Sequence, residues 1–397
     1  MLIQFSFKNF LSFKEETLID MSAVNAYKEH EYNLINTEKE KFLRVAAIYG
    51  ANASGKSNFI CAFAHFKDIV LKSSNYVENE DEKSIVSDYM PFLLQSQLDN
   101  SEFQIITLID GTEYKYGFEY NDEVVVAEWL YKKDKETNRT STIFERVTDK
   151  PIKFGPSVRK ECEIFGKQVS SDMLVLSFLG KLKLQTDIFN LIFKEIKDSS
   201  VLSSNSFENY SMITECLPWL IENHKDELLE FLHAIDTGIE DITYSDEGKE
   251  LEVFTWHRDN EGSLKSLSLL NESEGTIKCI SIYIVAKAVL MSNSILMVDE
   301  LNVKLHPLLL KFIIDLFHNS SSQAQLIYTT HDTTLLDKKF FRRDQIWFVQ
   351  KDEFGESKLY ALSDFKIRSD ASFEKDYLSG VYGGIPLLKD FAIKEEK

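Results

Sequence analysis

Gly50-Ala51-Asn52-Ala53-Ser54-Gly55-Lys56-Ser57 decides how this chain folds. The octet matches G-x-x-x-x-G-K-[ST]. It follows Val45-Ala46-Ala47-Ile48-Tyr49, an apolar run with the character of a buried strand, and opens a stretch with helical spacing from Asn58 to about Lys72. Strand, glycine-rich loop and helix in that order are the setting in which the motif reads as a phosphate cradle rather than a chance glycine turn. Glycines let the backbone curl until successive N–H groups face one anion, and the new helix adds the positive end of its dipole. Lys56 can then reach the β- and γ-phosphates of a nucleoside triphosphate, and the Ser57 hydroxyl can join a Mg2+ shell. The expected nucleotide-binding set here is Gly50, Asn52, Ala53, Ser54, Gly55, Lys56, Ser57 and Asn58.

Composition sets the bounds around that motif. The chain has 397 residues, enough to bury a large core in two lobes or domains. Acids outnumber bases 64 to 45, a net charge of −19, so no global basic field exists to hold nucleic acid nonspecifically. DNA contact through a local patch is made less favourable without being excluded. The first ten residues alternate like a strand and lack the apolar core of a signal peptide. The longest apolar run, Cys279 to Met291, is interrupted by Lys287 and reads as too short to span a bilayer. Cys61, Cys162, Cys216 and Cys279 show neither metal-ligand nor disulfide spacing, which points to reduced thiols and a cytoplasmic location.

Working outward from the loop, residues 1 to 22 read as two short strands around Asn9-Phe10-Leu11-Ser12-Phe13. Ser73 to Tyr89, with several acids, reads as a surface loop. Phe103 to Ile109 and Thr112 to Tyr120 flank Asp110-Gly111, a strong hairpin signal, and Val124 to Tyr131 continues the meander. From about Ser170 to Leu232 the spacing turns helical, without sustained heptads. Leu251 to Trp256 returns to strand alternation.

Three later stretches carry chemistry. Ser273-Glu274-Gly275 precedes an apolar helix from Ile277 to Met291; alone, it reads more readily as an ordinary helix cap than as an anion site. Ile295 to Val298 is a buried strand that ends in Asp299-Glu300. Asp299 at that strand end is placed to hold Mg2+, and Glu300 to polarise an attacking water. Ala324 to Asp332 holds another buried strand that ends in polar residues and His331, a position suited to sensing a γ-phosphate.

With these residues in order, the chain resembles the ABC-class ATPases of the RecF, SMC and OLD type, and more narrowly the AbiL/RloA-like branch of abortive-infection and toxin–antitoxin loci. The likeness spans almost the whole chain. It takes in Asn9 to Phe13, the phosphate loop, Tyr114-Lys115-Tyr116-Gly117-Phe118, Glu128-Trp129-Leu130-Tyr131 and Ser273 to Thr276. It continues through Asp299-Glu300-Leu301, Leu305-His306-Pro307, Thr329-Thr330-His331-Asp332 and Tyr377 to Pro386. The resemblance implies an α/β head of the ABC type: a parallel core sheet, an antiparallel β-meander lobe and a helical insertion. It makes Lys56 and Ser57 the Walker A pair, Asp299 the magnesium acid, Glu300 the catalytic base and His331 the switch histidine. Ser273, Glu274 and Gly275 fall at the signature, which in that class completes the neighbouring subunit's site. ATP and Mg2+ are the implied ligands, and a homodimer or higher homo-oligomer the implied assembly. The chain departs from the pattern at Glu272 and Glu274 within the signature, at Asn302 where relatives often keep an acid, and at Val381 where an arginine is usual. Gln95 and Gln104 both stand as candidates for the Gln-loop.

The expected division is residues 1–155 as the first part of the head, 156–240 as a helical lid or arm, and 241–397 as the second part. The leading functional expectation is an ATP-driven sensor or switch in antiphage defence that controls an effector protein encoded nearby, with no membrane involved. The alternative is a RecF-like DNA repair or recombination ATPase. An OLD-like nuclease is disfavoured, because the stretch after His331 is too short for a Toprim domain.

Overall fold

The structure is a computed structural model that describes residues 1–75, 88–134, 136–203, 210–246, 251–368 and 371–386. Its centre is a six-stranded sheet in the order Ser200–Leu202, Ile295–Val298, Gln325–Thr330, Val45–Tyr49, Ile346–Lys351, Ser357–Ala361. The first five strands run parallel and the last is antiparallel. Side chains alternate across a strand. Val45, Ala47 and Tyr49 therefore enter one apolar cluster, and Ala46 and Ile48 the other. Both faces are covered, which is why these strands read as unbroken apolar runs.

On one face lies the phosphate-loop helix, Lys56–Lys72. Its Phe59, Phe63 and Phe66 recur at helical spacing and meet a seven-stranded antiparallel sheet. That sheet runs Lys153–Phe154, Thr140–Val147, Val125–Lys133, Thr112–Tyr120, Ser101–Ile109, Leu2–Lys8, Thr17–Asp20. Phe63 meets Phe5 edge-on at 5.1 Å, and Phe66 stacks on Phe118 at 5.9 Å. The expected hairpin is present, with Asp110 and Gly111 at φ 47° and 75°, the positive values a two-residue turn of the twisted-strand type requires.

Two of the quoted motifs are structural. Gly117 lies under the Trp129 ring, where a Cβ would stand 2.6 Å from the indole. Glu128 is fully buried and accepts from Tyr116 Oη at 3.0 Å and from the N–H groups of Val175 and Leu176 at 2.7 and 3.0 Å. Glu128 thereby fastens the antiparallel sheet to the short helix Val175–Leu179.

The opposite face of the core sheet carries the helices Tyr210–Ala234, Glu274–Ser292 and Pro307–His318. The stretch expected to be a helical insertion is mostly helical, but it also supplies Ser200–Leu202, an edge strand of the core sheet. Its helices contribute to both apolar clusters. Glu274–Ser292 corrects the reading of the apolar run as too short for a bilayer. Among the described residues it is one helix, of 19 residues, long and apolar enough by length and composition to cross a membrane. The apolar window extends past Lys278, and here the helix packs in the core beside the central sheet. Most of the expected loop from Ser73 to Tyr89 lies outside the described residues.

Candidate nucleotide site

In an open parallel sheet, ligands bind beyond the carboxyl ends of the strands. The phosphate loop, Asp299-Glu300, His331 and Lys351 all stand at that edge of the core sheet. A cavity of about 440 Å3 opens there. Asn52, Ala53, Gly55, Lys56, Ser57 and Asn58 line it together with Glu300, His331 and Lys351. Residues about 250 positions apart in sequence thus share one concave surface.

The loop's shape follows from its residues. Gly55 has φ 115°, and an added Cβ would stand 2.4 Å from the Ser357 hydroxyl, so only glycine fits. Ser357 Oγ donates to the Ser54 carbonyl at 2.6 Å and stands 2.8 Å from Ser12 Oγ, which accepts from Asn58 Nδ2 at 2.8 Å. The Asn9–Phe13 motif therefore props the phosphate loop from outside. Lys56 is 5% exposed and folds back along its own loop, donating to the carbonyls of Gly50 and Ala51 at 2.8 and 3.0 Å. Burial pulls its pKa down, while the charges of Glu300 and Asp299 pull it back up. Ser57 is exposed at the cavity mouth. Gly50 and Ser54 form the loop's base and are not among the lining residues.

Asp299 is 6% exposed and lies outside the lining set. Its Oδ1 accepts from Thr329 Oγ1 at 2.6 Å, and the same Thr329 oxygen accepts from the Glu300 N–H at 2.8 Å. One threonine thus fixes both acids to the neighbouring strand. Glu300 adopts φ 51°, an uncommon backbone region for a non-glycine residue that must be held by its surroundings. Asn302 accepts from Thr330 Oγ1 at 2.9 Å, and its amide nitrogen is 3.4 Å from His331 Nε2. An amide there can accept on one side and donate on the other, which an ionised carboxylate cannot.

Ser273, Glu274 and Gly275 are not brought to this cavity. They begin the helix Glu274–Ser292, where Ser273 Oγ accepts from the Thr276 N–H at 3.1 Å as an N-cap, and Ser273 and Glu274 face solvent. Gln95 donates to Asn9 Oδ1 at 3.0 Å and Gln104 accepts from Trp129 Nε1 at 3.3 Å; neither lines the cavity.

The profile of the family described as "AAA domain, putative AbiEii toxin, Type IV TA system" matches residues 45–337. The chain belongs to that family. The matched span holds the phosphate loop, the signature position, the acids and His331. No curated protein matches the chain. Among solved structures, the chain is similar to an SMC head bound to the C-terminal winged-helix domain of ScpA, with 16% identity over 94% of this chain and 99% of that one, TM-score 0.46. An SMC head domain from Thermotoga maritima shares 16% identity over 92% and 99% of the two chains, TM-score 0.41. An SMC head with an extended coiled coil, bound to a ScpA domain from Pyrococcus furiosus, shares 15% over 96% and 99%, TM-score 0.44.

Sequence reading for this AAA-domain family member quoted Ser12 and Thr329 within motifs but gave them no role, and it missed Ser357, Lys278 and Lys351 as site residues. Lys351 ends a parallel strand, so the strand-end rule that found His331 would have found it too. A lysine inside an otherwise apolar helix was the signal for Lys278. Ser357 gave none, because its hydrogen bond to Ser12 spans 345 residues.

Proposed function

We propose that this chain binds and hydrolyses ATP and acts as a dimeric switch in antiphage defence, controlling an effector protein. The observation that carries the enzymatic part is the meeting of Lys56, Ser57, Glu300 and His331 on one cavity, with Asp299 buried behind them. Mg2+ is commonly held by one or two protein groups plus substrate phosphates. The Ser57 hydroxyl and the Asp299 carboxylate are the groups this chain offers for it, and a bound Mg2+ would neutralise charge on the phosphates. Lys56 would leave its loop carbonyls for the β- and γ-phosphates of the substrate. Glu300 would orient and deprotonate the attacking water, and His331 would contact the γ-phosphate. The solvent-facing Ser273 and Glu274 support completion of the site by a second copy. The defence role is supported by the family description alone.

Glu300→Gln tests this reading. It keeps the side chain's size but removes the base, so turnover should fall by roughly 10²–10⁴-fold while Mg·ATP still binds. Size-exclusion chromatography should then find the variant held as an ATP-dependent dimer. Wild-type turnover in Glu300→Gln would remove Glu300 as the base. Tight, salt-dependent binding of duplex DNA by the wild type would favour the repair reading instead.

A further inference from the structure

The helix that starts at the signature position is tied to the loop carrying Glu300 by contacts that the nucleotide cradle does not need. Lys278, one turn into the helix, is 3% exposed. Its ammonium donates to the Val303 carbonyl at 2.7 Å and the Glu300 carbonyl at 3.2 Å. Glu274 pairs with Lys304 at 3.2 Å. Gly275 packs so closely that a Cβ would stand 3.0 Å from the Lys304 carbonyl. From the other side the same loop is anchored by Thr329, whose carbonyl accepts from the Leu301 N–H at 3.1 Å and whose hydroxyl accepts from the Glu300 N–H at 2.8 Å.

Glu300 is therefore gripped at both ends of its backbone. Its N–H is fixed by the strand that ends at His331, and its C=O by the helix that begins at Ser273. Its positive φ makes the grip consequential. A non-glycine residue in that region relaxes once its neighbours stop holding it. An ammonium in this position is also costly to bury, and an apolar side chain of similar length would fill the space without that cost. What it supplies is a cationic link between two carbonyls of one loop and a helix start.

We propose that Lys278 is a positioning residue for Glu300, coupling the Ser273–Gly275 helix start to the orientation of the Glu300 carboxylate. This rests on the reading of Glu300 as the base. Displacement of the helix start, as on contact with another subunit's nucleotide, would then move the acid of this subunit's own site. The two sites of a dimer would fire in a linked way rather than independently.

The experiment compares steady-state hydrolysis and equilibrium ATP binding in wild type, Lys278→Met and Lys278→Arg. Lys278→Met should lower kcat toward 10²-fold, the order expected for a misplacement of about 1 Å at a reacting group. ATP affinity should stay near that of the wild type, because the Lys56 cradle is untouched. Lys278→Arg, which keeps charge and donors, should recover much of kcat. Retained ATP affinity also certifies the fold; if Lys278→Met loses it, Lys278→Gln, with a single neutral donor group, takes its place and should give an intermediate kcat. Unchanged kcat in Lys278→Met, or a fall in kcat matched by an equal fall in affinity together with no recovery in Lys278→Arg, would overturn the proposal. A wild type that binds ATP but never hydrolyses it would instead overturn the functional reading, and the Lys278 role with it.

Discussion

Replacing Lys56 by methionine separates what the lysine does for the fold from what it does for the ligand. Lys56 is 5% exposed, and burial disfavours its charge. Against that stand its hydrogen bonds to the carbonyls of Gly50 and Ala51. Bonds to a charged group contribute about 1.5–3 kcal/mol each. Desolvating the ion costs several kcal/mol, so the sum lies near zero, within about 2 kcal/mol. Methionine keeps the stem's volume but leaves the buried Gly50 carbonyl without this donor, so Lys56→Met should fold with stability lowered by about 1–3 kcal/mol in the absence of ligand. Binding is a different matter. Two unit charges about 4 Å apart interact by about 4 kcal/mol at an effective dielectric of about 20. That energy corresponds to about 10³-fold in affinity. Lys56 must first leave its loop carbonyls, which offsets part of this, so a loss of about 10²–10³-fold is expected. Every tenfold loss removes about 1.4 kcal/mol of ligand-induced stabilisation at saturating ATP. Urea unfolding with and without Mg·ATP, alongside equilibrium dialysis, reads both quantities. If Lys56→Met kept the wild-type ATP-induced shift, Lys56 would not face the phosphates and the cradle assignment would be wrong.

Two further outcomes are expected. Ser273→Arg should leave ATP binding by the same chain nearly intact, since Ser273 is exposed and outside the cavity, while blocking hydrolysis that depends on a neighbouring copy. Turnover in this variant equal to the wild type at all protein concentrations would contradict completion in trans. His65 gives a pH dependence. Burial holds its pKa down to about 4 against the pull of Asp88 and Asp68, and its Nε2 lies 2.8 Å from Tyr120 Oη. The folded state therefore keeps the ring neutral where the unfolded chain, near 6.5, takes a proton. Its contribution is fully present above about pH 6.5 and is lost as pH falls toward 4. Urea midpoints at pH 7 and pH 5 should diverge less for His65→Gln than for the wild type; equal divergence would show that His65 does not titrate in that window.

The core of this fold was readable because local chemistry and global position agree there. A run such as Val45 to Tyr49 is apolar at every position only if both faces of its strand are covered, and a glycine-rich loop followed by Lys-Ser is useful only where a helix starts. Asp299, Glu300 and His331 could be placed because strand ends in a parallel sheet share one edge. What remained hidden depends on pairings across long stretches of chain. The helical spacing after Ser170 was visible, but a strand of only three residues, Ser200–Leu202, carries too little pattern to announce that it joins the core sheet. Nor could spacing say which quoted motifs serve chemistry and which serve packing. Tyr116, Gly117, Glu128 and Trp129 read as strand residues; Gly117 turns out to leave room for the Trp129 ring, and Glu128 to bind Tyr116 and a helix start.

The hidden residues around the loop also explain why small polar side chains persist where apolar ones would pack. The Ser54 carbonyl is buried beneath the phosphate loop, and a buried carbonyl without a donor costs about 1–3 kcal/mol. Ser357 supplies that donor at 2.6 Å and passes the connection to Ser12, which in turn accepts from Asn58 on the phosphate-loop helix. Alanine at Ser357 would leave the carbonyl unpaired, and a larger residue would press on Gly55, whose missing Cβ already marks a 2.4 Å approach. The loop's curvature is thus set from outside the octet as well as within it. A glycine pattern permits the cradle, but two distant serines decide its shape.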